Sequence, residues 1–331
     1  MRDPHNVIVG PDADGQRLDR WLKKELPRTP YALLQKMMRT GQIRINGKRA
    51  KADARLVKGD TVRIPPAEEK DLGLTFVPKP GDDALVKKMV IYDDGDILAF
   101  NKPYGLAVQG GPNITRHLDG LLEHLRAGNG ERPKLVHRLD RDTSGVLVCA
   151  RSLKMANKLG TLFASRALKK VYWALLSPGP AQEMGVLDGA LAKGTGGRKE
   201  DMVIDPVEGK AAQTVFEVLA RTQMDGVEVA SCAFWPRTGR THQIRVHAAS
   251  LLKCPIVGDE RYGVVNDTLD DLGVAQRLHL HAAKLVLPHP VTGKNLSLKA
   301  PLPPELVASC KALGLPPHVP NDVFADLVES D

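Results

Sequence analysis

Cysteine is scarce in this chain of 331 residues: Cys149, Cys232, Cys254 and Cys310 stand far apart and form no CxxC pair. That spacing gives neither a zinc ribbon nor a disulfide frame, and it fits thiols kept reduced in a cytoplasm. Long apolar runs are missing too. No stretch reaches the roughly 18–20 apolar residues that a membrane span needs. Residues 1–10 mix charge with a proline instead of opening on an apolar signal segment, so a cytoplasmic protein without membrane contact is expected. The chain has no internal repeat, no low-complexity tract, no convincing dinucleotide fingerprint and no P-loop, which argues against redox and nucleotide-driven chemistry.

What is present is enough apolar sequence for a real core, 42% of residues, and a lopsided charge. The chain carries +8 overall; Gln16 to Pro65 alone holds fourteen Lys or Arg against four Asp or Glu, a local +10, so the remainder stands at −2. A small basic module on a near-neutral body points to a polyanion as partner.

Within that segment Leu18, Trp21, Leu22 and Leu26 fall on one helical face. Thr29 can cap a second helix with Pro30 at its first position, Leu33, Leu34, Met37 and Met38 give its buried side, and Gly41 can end it. Ile43 and Ile45, an Asn46-Gly47 turn and a basic stretch predict a hairpin, followed by a short strand from Thr61 to Ile64. The expected organisation is a tail over 1–14, this module over 15–66, a linker over 67–88, a second domain over 89–315 and a tail over 316–331. In the second domain, strands are predicted at 90–92, 97–100, 146–150, 171–176, 214–220, 227–234, 278–280 and 284–287. Helices are predicted over 118–126, 152–166 and 241–252. Strands dominate without regular βαβ alternation, so the fold class is α+β, with a mixed, mostly antiparallel sheet.

Two helices followed by a small basic β unit, with R-L-D-R-W-L at 17–22 and G-Q-I-R-I-N-G-K at 41–48, resemble the S4 RNA-binding module. The resemblance implies contact with RNA, mainly through phosphates, by the helix pair and adjoining loop. Arg28, Lys36, Arg39, Arg44, Lys48 and Arg49 are the candidates.

The densest chemistry lies in H-R-L-D-R-D-T-S-G, His137 to Gly145, just before an apolar strand. A loop that packs two cations and two anions around a leucine is costly to bury unless the charges pair; an exposed turn with local ion pairs is the plain alternative. The segment resembles the catalytic motif of the RluA-type pseudouridine synthases, in which H-R-L-D-x-x-T-S-G surrounds the essential aspartate, here Asp140. Three more stretches match in order: N-K-P-Y-G-L at 101–106, K-V-Y at 170–172 and T-G-R-T-H-Q-I-R-V-H at 238–247. The resemblance makes Tyr172 the active-site tyrosine and implies that Arg245 pairs with the catalytic carboxylate. With the S4-like module in front, the chain is most similar to the RluC and RluD branch, which modifies large-subunit ribosomal RNA, and a monomer is implied.

Forming pseudouridine breaks the N1–C1′ bond, turns the base over and joins C5 to C1′. No electrons enter or leave, so no cofactor is expected. A carboxylate can serve as nucleophile or as general base. A base held in RNA structure must be flipped into the site; Arg138 is placed to fill the vacated space or grip phosphate, Arg240 is grouped with it as an RNA contact, and His137 is expected to orient the loop. Competing readings are a transfer-RNA substrate, a non-catalytic RNA-binding assembly factor, and a hydrolase using His137, Asp140 and Ser144. The last lacks a G-x-S-x-G elbow. A metal cluster of His242, His247, His279 and His281 is conceivable, but hydrogen-bonding roles are the expectation, with no metal.

Overall fold

The computed structural model describes residues 5–26, 29, 31–65, 76–111, 114–165, 168–194, 201–263 and 267–324. The chain divides into two compact units, Met1–Val77 with Gly110–Thr115, and Pro78–Gln109 with Arg116–Asp331.

The first unit has the order β1 (His5–Ile8), α1 (Leu18–Glu25), α2 (Tyr31–Arg39), β2 (Arg44–Ile45), β3 (Lys48–Arg49) and β4 (Thr61–Ile64). Its strands form one antiparallel sheet in the order β1-β4-β2-β3. Leu18, Trp21 and Leu22 from α1 meet Leu34, Met37 and Met38 from α2 in a core closed by Ile43, Leu56, Val62 and Ile64. The helical spacing of these side chains therefore does what the sequence pattern requires. Asn46 and Gly47 both have positive φ, 49° and 78°, the geometry a two-residue hairpin loop needs to match strand twist. One expectation changes here. Residues 5–8, placed in a tail, add a strand to the sheet edge through β4, because their partner lies more than fifty residues ahead and no local signal announces it. Pro30 lies outside the described residues.

The second unit opens with α3 (Asp82–Met89), within the segment expected to be linker. Asp82, its first residue, is buried and accepts from the Lys79 N–H and from Arg116, which ties the helix start to the chain before it. Of the expected linker, residues 67–75 lie outside the described residues. The remaining elements are β5 (Val90–Asp93), β6 (Ile97–Lys102), α4 (Leu118–Leu121), β7 (Lys134–Leu135), β8 (Ser144–Ala150), α5 (Leu153–Ala164), β9 (Lys169–Leu176), β10 (Met184–Asp188), β11 (Leu191–Lys193), β12 (Met202–Ile204), β13 (Gln213–Met224), β14 (Val227–Pro236), α6 (Gln243–Val246), α7 (Asp267–Asp271), β15 (Leu280–Pro288), β16 (Asn295–Lys299) and α8 (Pro304–Ala312). Among the described residues, ten strands join one sheet along β10-β13-β14-β9-β15-β8-β6-β5, with β16 beside β15 and β7 beside β8. Every described pairing in it is antiparallel except β15 with β8. The α+β class and the mixed, mostly antiparallel sheet follow the sequence pattern.

Alternation along β9 sorts the two faces. Tyr172, Ala174 and Leu176 point into the core that Ile244 and Ala248 cover. Trp173 and Leu175 point into the opposite core, which Leu306 and Cys310 of α8 close. Helix α5, capped by the Ser152 hydroxyl, packs Met155 and Leu159 on Val146 and Val148. The helix expected over 241–252 is a short α6 running into a wider π-type turn, His247–Leu251, a local underwinding often met at functional sites. The two short strands expected at 278–280 and 284–287 are one strand, β15, whose bulge between Ala282 and Lys284 breaks the alternation. The expected tail also contributes: Val323 and Phe324 are buried against Val171 and Trp235, while residues 325–331 lie outside the described ones. No helix among the described residues is long and apolar enough to cross a membrane.

The parallel join of β8 and β15 depends on Gly145, which has φ 112° and whose added Cβ would stand 2.2 Å from the Ala282 carbonyl oxygen. Both strain and clash follow from any side chain there. Gly145→Ala is expected to lower folding stability by about 3 kcal/mol, measurable as a drop in Tm and in denaturant midpoint.

Candidate active site

The loop from His137 to Thr143 runs into β8 and forms one wall of a cleft of about 430 Å³. Facing walls come from Lys170 and Tyr172 of β9 and from residues 236–245, which lead from β14 into α6. Three of the four sequence motifs thus meet at one opening.

The fourth motif lies beneath. Lys102, at the end of β6, is fully buried, and its ammonium donates to the carbonyls of Pro103 (2.9 Å), Leu106 (2.8 Å) and Arg141 (2.9 Å). Burial pulls its pKa down to about 7, opposed by the charges of Asp142 and Asp140. Three carbonyls, which can only accept, match the three donors of the charged form. Lys102 therefore ties the 103–106 turn to the loop that bears Asp140. Leu139, buried beside Asp140, and the Thr143 N–H bonded to the Asp140 carbonyl fix the loop from within.

His137 stacks on Phe163 at 4.2 Å and accepts the Val148 N–H on Nε2 at 2.8 Å. Burial, with help from Lys170, lowers its pKa to about 3, so the ring is a neutral brace for the loop at physiological pH. The Asp140 side chain keeps about a quarter of its surface, at 23% exposed, with Oδ2 3.8 Å from His242 Nε2. Tyr172 lines the same cleft. Burial, reinforced by Asp140, raises its phenol well above the ordinary value, so it keeps its proton at neutral pH.

Arg245 departs from expectation. Its Nε and Nη2 grip Asp259 Oδ2 and Oδ1, each at 2.7 Å, with both side chains nearly enclosed. Asp259 Oδ1 also accepts the N–H groups of Arg261 and Tyr262. Burial opposes the Arg245 charge, but Asp259 and then Asp140 hold its pKa above the ordinary arginine value. A guanidinium fork can close on one carboxylate, and the one held in place by backbone donors is Asp259. Arg245 thus reaches Asp140 through its field. Its pairing with Asp140, expected from the sequence, is replaced by an Arg245–Asp259 pair.

Arg138 and Arg240 are exposed at the cleft; Arg240 Nε donates to the Ala211 carbonyl at 3.2 Å. In the first unit Lys36, Arg39, Arg44, Lys48 and Arg49 are all exposed. Arg44 donates to the Gly41 and Gly47 carbonyls and Arg49 to that of Arg39, which gathers the end of α2 and the β2–β3 hairpin into one cationic face. Arg28 lies outside the described residues.

The hydrolase arrangement does not assemble. Ser144 is buried, with its hydroxyl on His281 Nδ1 (2.9 Å) and receiving from Arg277 Nη2 (3.2 Å), while His137 is committed to Val148. His279 bonds the Arg277 carbonyl and Ser309, and His281 bonds Ser144 and the Ala300 carbonyl. Burial lowers both imidazoles to about 4. Among the described residues no group of three His, Cys, Asp or Glu side chains is placed to hold a metal.

Four residues were not singled out for these roles in the sequence: Lys102, whose motif matched without a task, His242, Asp259 and Tyr262. The run Gly258 to Gly263 could have pointed to the last two. Gly258 has φ 71° and would drive a Cβ to 1.9 Å from the Arg277 carbonyl oxygen, a tight turn that carries an acid and a tyrosine into the site.

Residues 96–250 match the family described as RNA pseudouridylate synthase. The chain is 36% identical over 308 residues to ribosomal large subunit pseudouridine synthase C of Vibrio vulnificus, spanning 91% of this chain and 93% of that one. It is also 36% identical over 304 residues to the protein of that name from Escherichia coli K12, spanning 89% and 92%. Two solved human structures share its fold. RNA Pseudouridylate Synthase Domain Containing 4 has a TM-score of 0.59 at 32% identity, covering 72% of this chain and 98% of its own. RNA Pseudouridylate Synthase Domain Containing 1 has 0.57 at 27% identity, covering 73% and 94%.

The Arg245–Asp259 pair is nearly closed to solvent, so removing one partner strands a buried charge. Asp259→Ala is expected to cost about 3 kcal/mol or more of folding stability, read from denaturant unfolding beside the wild type.

Proposed function

The chain belongs to the RNA pseudouridylate synthase family, and from that premise we propose that it converts defined uridines of large-subunit ribosomal RNA to pseudouridine, with Asp140 as the essential carboxylate. The observation that carries this reading is the position of Asp140: partly open to a cleft, backed by the field of Arg245, and faced by Tyr172 and His242. The reaction needs a group that engages sugar or base while the glycosidic bond breaks, and a carboxylate in a site shaped by fixed charges can do so as nucleophile or base. Tyr172, protonated and presenting an aromatic face, is assigned to stack on the flipped base. Arg138 at the cleft mouth is assigned to the space that the base leaves or to its phosphate, and Arg240 to the phosphates beside it.

The first unit is proposed as an S4-type RNA-binding module. Support comes from its helix pair, its hairpin and the clustering of Lys36, Arg39, Arg44, Lys48 and Arg49 on exposed positions. Cations so placed gain affinity chiefly by releasing counterions from phosphates. A monomer working in the cytoplasm completes the proposal.

Mapping pseudouridine in total RNA from cells with and without the gene tests the substrate. Signals lost from large-subunit ribosomal RNA, and restored by the wild type alone, are expected; signals lost only from transfer RNA would keep the chemistry and discard the substrate. Asp140→Asn should bind RNA normally but form pseudouridine at least about a hundredfold more slowly. Affinity should fall steeply with salt. Replacing Arg44 and Lys48 together by alanine should flatten the plot of log affinity against log salt by roughly 1.5, measured by titration at several KCl concentrations.

A further inference from the structure

One titratable group in the cleft has no task in the chemistry so far, the imidazole of His242. This residue sits just before α6 in the left-handed region, φ 53° and ψ 20°. For a residue with a Cβ that conformation costs roughly 1–2 kcal/mol, so the surrounding contacts hold the ring where it is. Those contacts are specific. The ring stands edge-on to Tyr262, with Nδ1 2.8 Å from the Tyr262 hydroxyl and Nε2 3.8 Å from Asp140 Oδ2.

The hydrogen-bond inventory locates the proton on this ring. The Tyr262 oxygen accepts the backbone N–H of Met202 at 3.0 Å. Among the described residues that amide and His242 Nδ1 are the two partners of the hydroxyl, and His242 Nδ1 is the one that can accept, so the phenol's own proton is assigned to it. Burial, above all, raises the Tyr262 phenol and keeps that proton in place. With Nδ1 accepting, a neutral imidazole carries its hydrogen on Nε2, the nitrogen that faces Asp140. The ring is held neutral chiefly by burial; Arg245 and Arg261 act in the same direction, and Asp140 and Asp259 oppose.

Arg245 leaves a gap for such a donor. Two of its three guanidinium nitrogens are committed to Asp259, so its effect on Asp140 is mostly that of a nearby charge. We propose that His242 is a positioning residue for the catalytic carboxylate: Tyr262 locks it in the tautomer that aims an N–H at Asp140, and the contact closes when substrate fills the cleft. A separation of 3.8 Å is longer than a hydrogen bond, and catalytic contacts of this kind commonly tighten once substrate is bound. An uncharged donor fixes which lone pair of the carboxylate meets the substrate, while leaving the group more basic than a bidentate guanidinium would. The inference rests on the reading of Asp140 as the catalytic group.

The test is single-turnover pseudouridine formation in large-subunit ribosomal RNA from cells lacking the gene, between pH 5.5 and 8.5. The enzymes compared are the full-length wild type, Tyr262→Phe, His242→Gln, His242→Leu and Asp140→Asn. Without the Tyr262 hydroxyl the proton is free to sit on Nδ1, and a lone pair then faces Asp140. Tyr262→Phe should therefore be about tenfold slower than wild type at pH 8, with an unchanged half-saturating RNA concentration. Its deficit should shrink at the acid end of the range, because burial holds the imidazole below its ordinary value and the imidazolium, once formed, carries hydrogen on both nitrogens. This shape is read within one variant, so a smaller folded fraction does not produce it. His242→Gln, whose amide can reach the place of Nε2, should keep more activity than His242→Leu. A Tyr262→Phe deficit that is constant with pH, a His242→Leu variant at the wild-type rate, or a His242→Gln variant no better than His242→Leu would each overturn the proposal. An active Asp140→Asn variant would overturn it together with the reading of the site; an inactive one alongside any of the other three outcomes would overturn it alone.

Discussion

The ammonium of Lys102 is shut away from water and donates to carbonyls on two separate pieces of chain, the 103–106 turn and Arg141 in the loop that bears Asp140. Those carbonyls have no other reason to converge. Remove the cation and they would face one another unsatisfied in a closed space, each costing on the order of 1–3 kcal/mol. From above, the loop is braced by His137 on Val148, and its exit is pinned where Gly145 passes the Ala282 carbonyl. Asp140 is thereby placed through the backbone and neighbours of its loop rather than through its own carboxylate, which leaves its oxygens free for chemistry.

Charge in this site is buried in matched sets, and each set has a different purpose. Lys102 is balanced by peptide dipoles, Arg245 by the Asp259 carboxylate, and His137 by staying neutral. Among the carboxylates that line the cleft in the described residues, Asp140 alone is partly open. Tyr172, pushed to remain a phenol, adds an aromatic surface without adding a competing anion. The basic face of the first unit is of another kind: its cations are exposed and bonded mainly to carbonyls, so their charge is available to a polyanion.

Local physics made much of this legible before any coordinates. The 3.6-residue spacing of Leu18, Trp21, Leu22, Leu34, Met37 and Met38 gave both helices of the first unit and the faces that meet, and Asn46-Gly47 gave its hairpin. The apolar run of β8 marked a strand, which is buried along its length, and the family resemblance, not local physics, pointed to Asp140 and Tyr172, which both line the cleft. What escaped depends on partners remote in sequence. Strand β1 has no pattern of its own until β4 pairs with it, and β15 hides behind a bulge that puts its alternation out of step. The partner of Arg245 could not be read from the motif, since a fork selects among carboxylates by position, and Asp259 wins because the Arg261 and Tyr262 amides already hold it. The tautomer of His242 is further still from the sequence, being set by an amide on β12 acting through a tyrosine.

The place of β15 in the sheet has a bearing on when the protein can first work. Strands β8 and β9 follow one another along the chain, yet they do not pair; the strand between them is β15, made of residues some hundred positions later. As the polypeptide leaves the ribosome, the Asp140 loop and Tyr172 emerge early on two strands with a vacancy between them. The vacancy cannot be filled before residue 288 has been made. Non-local closure of this sort is slow compared with forming a helix or hairpin, so the two walls of the cleft reach their working separation among the last events of folding. In a partly made chain the first unit, with its basic face, is complete long before the cleft is, so the two units mature at different times in the life of each molecule.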